Sequence, residues 1–473
     1  MTFAGPLADA QISACIASLR TATASLEQLS PAALSALARA AASFVREAKR
    51  LRRRRVAAGI RRRDGERPGG FSRAPTPIVG PSPRESARAA EVAGRCHACR
   101  GRLVAVHPRY AGLCPPCGGR HQGKRTQTAD LSGRVALVTG ARVSSGFATT
   151  LKLLRAGAVV IGTSRFPRDA ALRFAAEPDF ACWSTRLHLY GLDFRSPAWV
   201  EAFTAHIAGT VDRLDILVNN AAQTVRRPAS FYTHLVAGEI TPIQAMDPPV
   251  RRVLAAGQGF ARRQFVGAGP VEATPGALSA MLSQVRVLPE DATAALPGGA
   301  AQVPAGPVDD LRATNSWLLR LGEVATAECL EVLLVNAAAP FVLAGRLRER
   351  MARDALADKW IVNVSAVEGQ FSRRHKNDRH PHLNMAKAAL NMLTRSSAAD
   401  YARDRIYMNS VDVGWFSNGE PAAVAAAMRS RGFTLPLDEI DAAARVCDPI
   451  FSGVRTGRNV HGKLLKDYEP VDW

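Results

Sequence analysis

Four of the eight cysteines in this 473-residue chain fall in two pairs, Cys96-His97-Ala98-Cys99 and Cys114-Pro115-Pro116-Cys117, with fourteen residues between them. Thiolates two apart in a tight turn can chelate one ion, and two such turns close a tetrahedron around zinc. Four thiolates leave no open position, so the expected zinc is structural, with His97 and His107 as bystanders. A second candidate lies far downstream, the run of His375, His380 and His382. An imidazole donates a proton near pH 7. The opposing reading of the histidine run, which is mixed with Arg373, Arg374, Lys376 and Arg379, is a solvated loop. A third signal is Val138-Thr139-Gly140-Ala141-Arg142-Val143-Ser144-Ser145-Gly146. A glycine there makes a tight turn, and the amides of the following helix start can receive a pyrophosphate.

The elements that must position these residues follow from the hydrophobic pattern. Apolar runs predict strands over 134–140, 158–164, 214–220, 360–365 and 406–413, with a helix over 145–155 between the first two. Such alternation argues for an α/β fold, a parallel sheet with helices on both faces. Residues 236–310 interrupt it with Pro-Gly runs and weak periodicity. They are expected to be an insertion over the carboxyl edge of the sheet, either a lid or a surface excursion. Upstream, Ile12, Cys15, Ile16 and Leu19 are spaced as one helix face, and Ser30-Pro31 predicts the start of a second helix. The expected organisation is a helical segment with a basic end (1–62), a flexible linker rich in Gly, Pro, Ser and Arg (63–93), a zinc-ribbon-like module (94–125) and an α/β domain (130–473).

Charge divides along the same lines. Residues 46–125 hold 21 Lys+Arg against 5 Asp+Glu, so +16 of the net +21 lies there. Arginine this dense can neutralise phosphates, which makes nucleic acid one candidate partner of the module. A solvated basic face, a protein partner, or docking onto an acidic patch elsewhere on the chain are the others. No uninterrupted apolar run has membrane-spanning length, and the start lacks the pattern of a signal peptide. With four scattered cysteines, Cys15, Cys182, Cys329 and Cys447, the expectation is a reducing, cytoplasmic setting and no membrane association.

In order and spacing, these motifs resemble the short-chain dehydrogenase/reductase family, from about 131 to 448 apart from the insertion. Thr139, Gly140 and Gly146 match the family's glycine-rich turn, while Ser144 replaces its middle glycine. Leu192-Asp193 resembles the adenine contact, and Asn219-Asn220-Ala221-Ala222 the segment whose first asparagine steadies the sheet. Asn336 matches the asparagine that holds a water in the proton relay. Lys387 matches the lysine that holds the nicotinamide ribose, and Gly414 the glycine of the late Pro-Gly segment. The second strand ends Ser164-Arg165 with no acid for the ribose hydroxyls, and Arg165 can pair with a 2′-phosphate. NADP(H) is therefore expected over NAD(H).

Two signature positions are changed. The catalytic tyrosine position is Leu383, and the catalytic serine position is Ala366, with Ser365 one residue early. The resemblance thus implies a Rossmann-type, doubly wound sheet and a divergent NADP(H)-dependent oxidoreductase acting on a carbonyl or alcohol that the sequence does not name. His382 or Asn384, flanking the lost tyrosine, is the expected substitute. The alternative is a non-catalytic NADP(H)-binding protein working through partners of its zinc module. A homo-oligomer is expected by resemblance alone.

Overall fold

The computed structural model describes residues 94–264, 277–288, 310–373 and 376–473, together with 291 and parts of 13–43. The basic segment 44–62, the linker 63–93, His375 and much of the insertion lie outside the described residues. At the amino terminus a helix runs over 31–43, and Ser30 Oγ accepts from the Ala33 amide at 3.3 Å, as a helix-capping serine does.

From Arg95 onward the principal elements are α1 (Pro115–Thr126), β1 (Val135–Val138), α2 (Ser144–Arg155), β2 (Val159–Ser164), β3 (Leu187–Gly191), α3 (Pro197–Thr210) and β4 (Ile216–Asn219). Then come α4 (Pro248–Gln264), α5 (Thr326–Leu333), a π-helical turn (Leu334–Ala338), α6 (Ala339–Ala352), β5 (Lys359–Ser365), α7 (Pro381–Ala402), β6 (Ile406–Asp412), α8 (Glu439–Thr456), β7 (Leu464–Lys466) and β8 (Glu469–Val471). The strands form one sheet in the order β3-β2-β1-β4-β5-β6-β7-β8, parallel throughout except for the final β7–β8 hairpin. Strand order reverses between β1 and β4, which opens a crevice at their carboxyl ends.

Alternating side chains divide the core. Ala136, Val138, Val160 and Val362 face α2 and α8, meeting Leu151, Leu154, Val446 and Phe451. Leu137, Ile161, Leu217 and Ile361 face α3, α6 and α7, meeting Phe203, Ile207, Leu343, Leu347 and Ala398. Burial on both faces explains why these strands read as continuous apolar runs. A polar seam crosses the middle: Asn219 Nδ2 donates to Asn363 Oδ1, Asn363 Nδ2 to Thr394 Oγ1, and Thr394 Oγ1 meets Ser410 Oγ, each at 2.8 Å.

The insertion differs from expectation. Its longest described element, α4, runs along the outer strand β3 rather than over the carboxyl edge, with Val253 and Leu254 in one core and Phe260 in the other. A Cβ on Gly257 would stand 2.2 Å from the Leu189 carbonyl oxygen, so glycine is required for this close approach. The helix covers an otherwise open sheet edge. Among the described residues, a shorter part packs beside the crevice wall, where Ser279 Oγ donates to the Arg165 carbonyl oxygen, and Asp291 pairs with Arg226. Among the described residues, the helical stretch Thr326–Ala352 is long and apolar enough to cross a membrane, and half of its most apolar window is buried inside the fold.

Candidate functional site

The crevice at the carboxyl ends of the strands is a cleft of about 1190 Å³. It joins the glycine-rich turn, the end of β2, the start of α7 and the loop after β6, and it holds most of the residues singled out above.

At the turn, Gly140 has φ +69°, and a Cβ on Gly146 would meet the Gly140 carbonyl oxygen at 2.1 Å and Asn220 Nδ2 at 2.4 Å. Ser144, standing in for glycine, is held at φ 58°, a left-handed backbone that costs a non-glycine residue on the order of 1 kcal/mol. Thr139 does not reach the cleft; its Oγ1 accepts from the Asn220 and Ala221 amides at 2.9 Å each and so fixes the neighbouring loop. Asn219 is likewise turned into the sheet seam, and Asn220 faces the cleft in its place. Asn220 bonds to Ser145 Oγ and the Thr139 carbonyl, a role the residue pattern did not single out.

At the end of β2, Arg165 lies over the Tyr232 ring at 4.5 Å and donates to its hydroxyl at 2.9 Å. No carboxylate among the described residues pairs with it. Ser164 Oγ accepts from the Phe166 amide, shaping the bend that presents the arginine. Arg142 brings a second guanidinium to the same wall, held by Asp169 at 2.7 Å, and burial lowers its pKa from the usual value. Its place inside the glycine-rich turn was the available signal, and it was missed. Asp193 also lines the cleft, but its carboxylate is gripped by Arg195 at 2.6 Å.

The reaction end is built by β5 and α7. Lys387 is 5% exposed, lines the cleft, and donates from Nζ to the Val364 carbonyl oxygen at 2.8 Å. Burial pushes its pKa down to about 8, opposed only partly by Glu368. One turn earlier, Leu383 packs with Val332, Ala386 and Trp317. Ser365 is in place at the end of β5 but donates its hydroxyl to Asn391 Oδ1 at 2.7 Å. Asn336 occupies the π-helical turn, where Nδ2 donates to the Gln223 and Val332 carbonyls and Oδ1 is buried without a partner. Such turns recur at functional sites. Gly414, at φ +77°, opens the loop after β6.

The histidine expectation is corrected. His382 is 3% exposed, is not a cleft-lining residue, and neither ring nitrogen has a partner among the described residues; burial pushes its pKa down to about 4. Helix geometry turns position 382 off the 380–383–387 face. His380 is the histidine on the cleft: it stacks on Trp317 at 4.2 Å, and its Nδ1 is 3.0 Å from the Trp317 carbonyl oxygen. Asn384 also lines the cleft and donates to the Arg379 carbonyl at 3.3 Å.

The sulfurs of Cys96, Cys99, Cys114 and Cys117 lie within 4.8 Å of one another, a set able to hold one tetrahedral ion. The first pair sits on a turn closed by the bridge Arg95–Arg102, while the second opens α1 instead of a second turn. Burial opposes ionisation of Cys96, but hydrogen bonds from the backbone at Cys114, Cys99 and Ala98 outweigh it and bring its pKa to about 7, suited to a thiolate ligand. The module and the sheet domain form one compact body. Tyr110 donates to Asp441 at 2.7 Å, Arg125 reaches Asp438 and Asp441, Lys124 pairs with Asp448, and His121 lies between Arg445 and Asp467. Much of the described basic charge of the module is therefore spent on acids of α8 and the β7–β8 turn.

Residues 134–236 match the short chain dehydrogenase family profile and residues 314–434 the enoyl-(acyl carrier protein) reductase profile. An uncharacterised protein of Acanthamoeba polyphaga mimivirus is 29% identical over 75% of this chain and 71% of its own length. Human dehydrogenase/reductase SDR family member 13 is 36% identical over 23% of this chain, a span of only 26% of that protein. Among solved structures, an NADP active-site complex of RhlG from Pseudomonas aeruginosa aligns with a TM-score of 0.43 at 18% identity, covering 71% of this chain and 95% of that one. The two matched stretches flank the insertion and carry the glycine-rich turn and Lys387, so both halves of the sheet domain are similar to short-chain dehydrogenases.

Proposed function

We propose that this chain is an NADP(H)-dependent oxidoreductase that interconverts a carbonyl and an alcohol, with Lys387 in place of the missing tyrosine. The observation that carries the reading is a single cleft lined by Gly140, Arg142, Ser144, Arg165, Asn220, Lys387 and Gly414. These residues fit a dinucleotide. The close approach of Gly146 to Gly140 brings the start of α2 to the pyrophosphate position, and Arg165 offers a guanidinium free of carboxylates beside the ribose position. Ser164, where NAD-preferring members carry an acid, favours the 2′-phosphate.

When bound, the reduced cofactor supplies a hydride to the carbonyl carbon. The chain must then supply a proton to the oxygen. Leu383 and Ala366 carry no proton donor, whereas Lys387 holds one at Nζ inside the cleft, with a single carbonyl partner at 2.8 Å. Proton transfer from Nζ leaves a neutral amine, which burial tolerates and solvent recharges. Asn336, whose buried Oδ1 has no partner among the described residues, is the candidate to hold a water of the proton relay. His380 stands one turn beyond Leu383 and orients the substrate end through its stack on Trp317.

A second reading, a non-catalytic NADP(H)-binding protein that works through partners of its cysteine module, is favoured by one observation: where the cleft would need a proton donor, Leu383 is 3% exposed and packs with Val332, Ala386 and Trp317. The inward pairing of Lys124 and Arg125 supports docking on the chain's own acids over nucleic acid as the use of that charge. Titration with NADPH and NADH, followed by NADPH oxidation over a panel of aldehydes and ketones, separates the readings. Selective NADPH binding with turnover that Lys387→Met abolishes supports the enzyme. Selective binding without turnover supports the sensor, and binding of neither nucleotide removes both.

A further inference from the structure

The cysteine module does more than sit beside the domain. Of the residues lining the cleft, four belong to it: His97, Arg100, Leu113 and His121. His97 follows Cys96, Arg100 follows Cys99, and Leu113 precedes Cys114. The immediate neighbours of three of the four sulfurs therefore form cleft wall. We propose that Cys96, Cys99, Cys114 and Cys117 hold a zinc ion that builds this wall, so that metal loading sets the shape of the ligand cleft.

The backbone around the sulfurs carries the argument. Arg100 is held at φ 60°, a left-handed conformation that surroundings must impose on an arginine. Its amide donates to the Cys96 carbonyl at 3.0 Å, and the Cys96 amide donates to the Gly101 carbonyl at 2.8 Å, closing the turn around the first pair. His97 donates its amide to the Gly112 carbonyl at 3.0 Å, which ties this turn to the approach of the second pair. A Cβ on Gly112 would stand 2.6 Å from the His97 ring, so the ring rests directly on that backbone. The segment's own core is small: Cys96, Leu103, Tyr110 and Leu113, with partly buried Ala98 and Val106, and with Leu437 of the main domain packed against it. So few apolar side chains cannot fix the turns alone, and small modules of this kind take their order from the metal.

The path to the cleft is equally short. Leu437 also touches Gly414, where a Cβ would meet its side chain at 2.5 Å, and Gly414 opens the loop after β6. Arg445 lies behind Gly414 and bonds both His121 and Asp467. Loosening of 96–114 would thus free Leu437 on one side and leave the buried Asp441 short of its tyrosine partner on the other.

The wall is read from the module's own packing; only the identity of what the cleft binds rests on the nucleotide proposal. The test uses the full chain, with metal content measured as purified, after chelation and after zinc is restored, and with hydrogen exchange followed in each state. One zinc per chain is expected. Chelation should speed exchange about tenfold or more over 96–113 and also over 414–420 and 436–438, while β1 and β5 stay protected, and zinc should reverse it. Faster exchange confined to the module would overturn the proposal, as would metal-free protein already protected at 96–113. Cys99→Ser should mimic chelation, and Arg100→Ala, which keeps all four thiols, should retain the metal and the protected loop. An Arg100→Ala protein that loses both would place the order in the arginine and sink the metal's role. Titration of the same samples with NADPH keeps the two proposals apart, since failure to bind nucleotide in every state counts against the cofactor and leaves the exchange result to decide the wall.

Discussion

Lys387 Nζ donates to the Val364 carbonyl oxygen at 2.8 Å, so the lysine of α7 is tethered to the end of β5, the strand that supplies Ser365 and Ala366. This bond holds a charge with which no carboxylate among the described residues pairs. Burial then brings the lysine's pKa to about 8 and makes it a donor near physiological pH.

Carbonyl reduction should accordingly require the ammonium form and fall as pH rises through about 8, while alcohol oxidation should rise over the same range. Lys387→Met should lower reduction by about 10²–10⁴. A pH-independent kcat between pH 7 and 9 would exclude Lys387 as the donor.

The same charge acts on stability with a definite sign. A lysine whose folded pKa is depressed binds fewer protons folded than unfolded between about pH 8 and the unfolded value, so stability rises with pH across that window. Below it, the burial penalty is present in full. Lys387→Met should therefore stabilise the protein at pH 7 by roughly 2–4 kcal/mol, with the gain shrinking as pH rises from about 8 and mostly gone above about pH 10. Urea unfolding at the two pH values checks this, and a gain independent of pH would point to packing instead of charge.

Leu383→Tyr paired with Ala366→Ser restores the two groups that the family resemblance says are missing. If the cleft is an enzyme's, the pair should raise reduction of a small aldehyde about 10²-fold. The ring must displace the contacts with Val332 and Trp317, at a cost of about 1–3 kcal/mol. A folded double variant that binds NADPH yet gains nothing would mean the substrate oxygen lies elsewhere in the cleft.

How much of this was legible in the chain depended on the kind of signal. Strands β1, β2, β4, β5 and β6 were readable because both faces are buried, and their bounds moved by only a few residues. The helix α4 was missed because its 17 residues begin with two prolines inside a stretch dominated by Pro-Gly runs. Gly140, Ser144, Arg165, Lys387 and Gly414 were placed on the cleft by order and spacing. His382 was misjudged because its place beside the tyrosine position says nothing of the helix face, whereas His380 is three residues before Leu383 and seven before Lys387, on one face. The docking of the cysteine module was invisible, since Tyr110 and Asp441 are 331 residues apart.

Arg165→Ala should weaken NADPH binding about tenfold or more and leave NADH nearly unchanged, because on the proposed reading the guanidinium pairs with the 2′-phosphate that NADH lacks. Arg142 is held by Asp169 at 2.7 Å, so Arg142→Ala should have a smaller selective effect. Equal losses for both nucleotides, measured by fluorescence titration, would show that these arginines serve the fold and not the phosphate.

Ser144 offers the most direct check on the turn. Its φ of 58° is one that glycine adopts freely, so Ser144→Gly should stabilise the chain by up to about 1 kcal/mol at that position. Glycine also raises the entropy of the unfolded chain, which offsets part of the gain. Removal of the side chain opens the backbone where the pyrophosphate must approach, so NADPH affinity should rise by more than the stability change predicts. Thermal unfolding with and without NADPH separates the two effects. If Ser144→Gly stabilises the protein and leaves NADPH affinity untouched, the hydroxymethyl group points away from the phosphates and the turn tolerates serine by geometry alone. If affinity falls, the serine hydroxyl itself is a phosphate ligand, and the departure from glycine is an adaptation of this site.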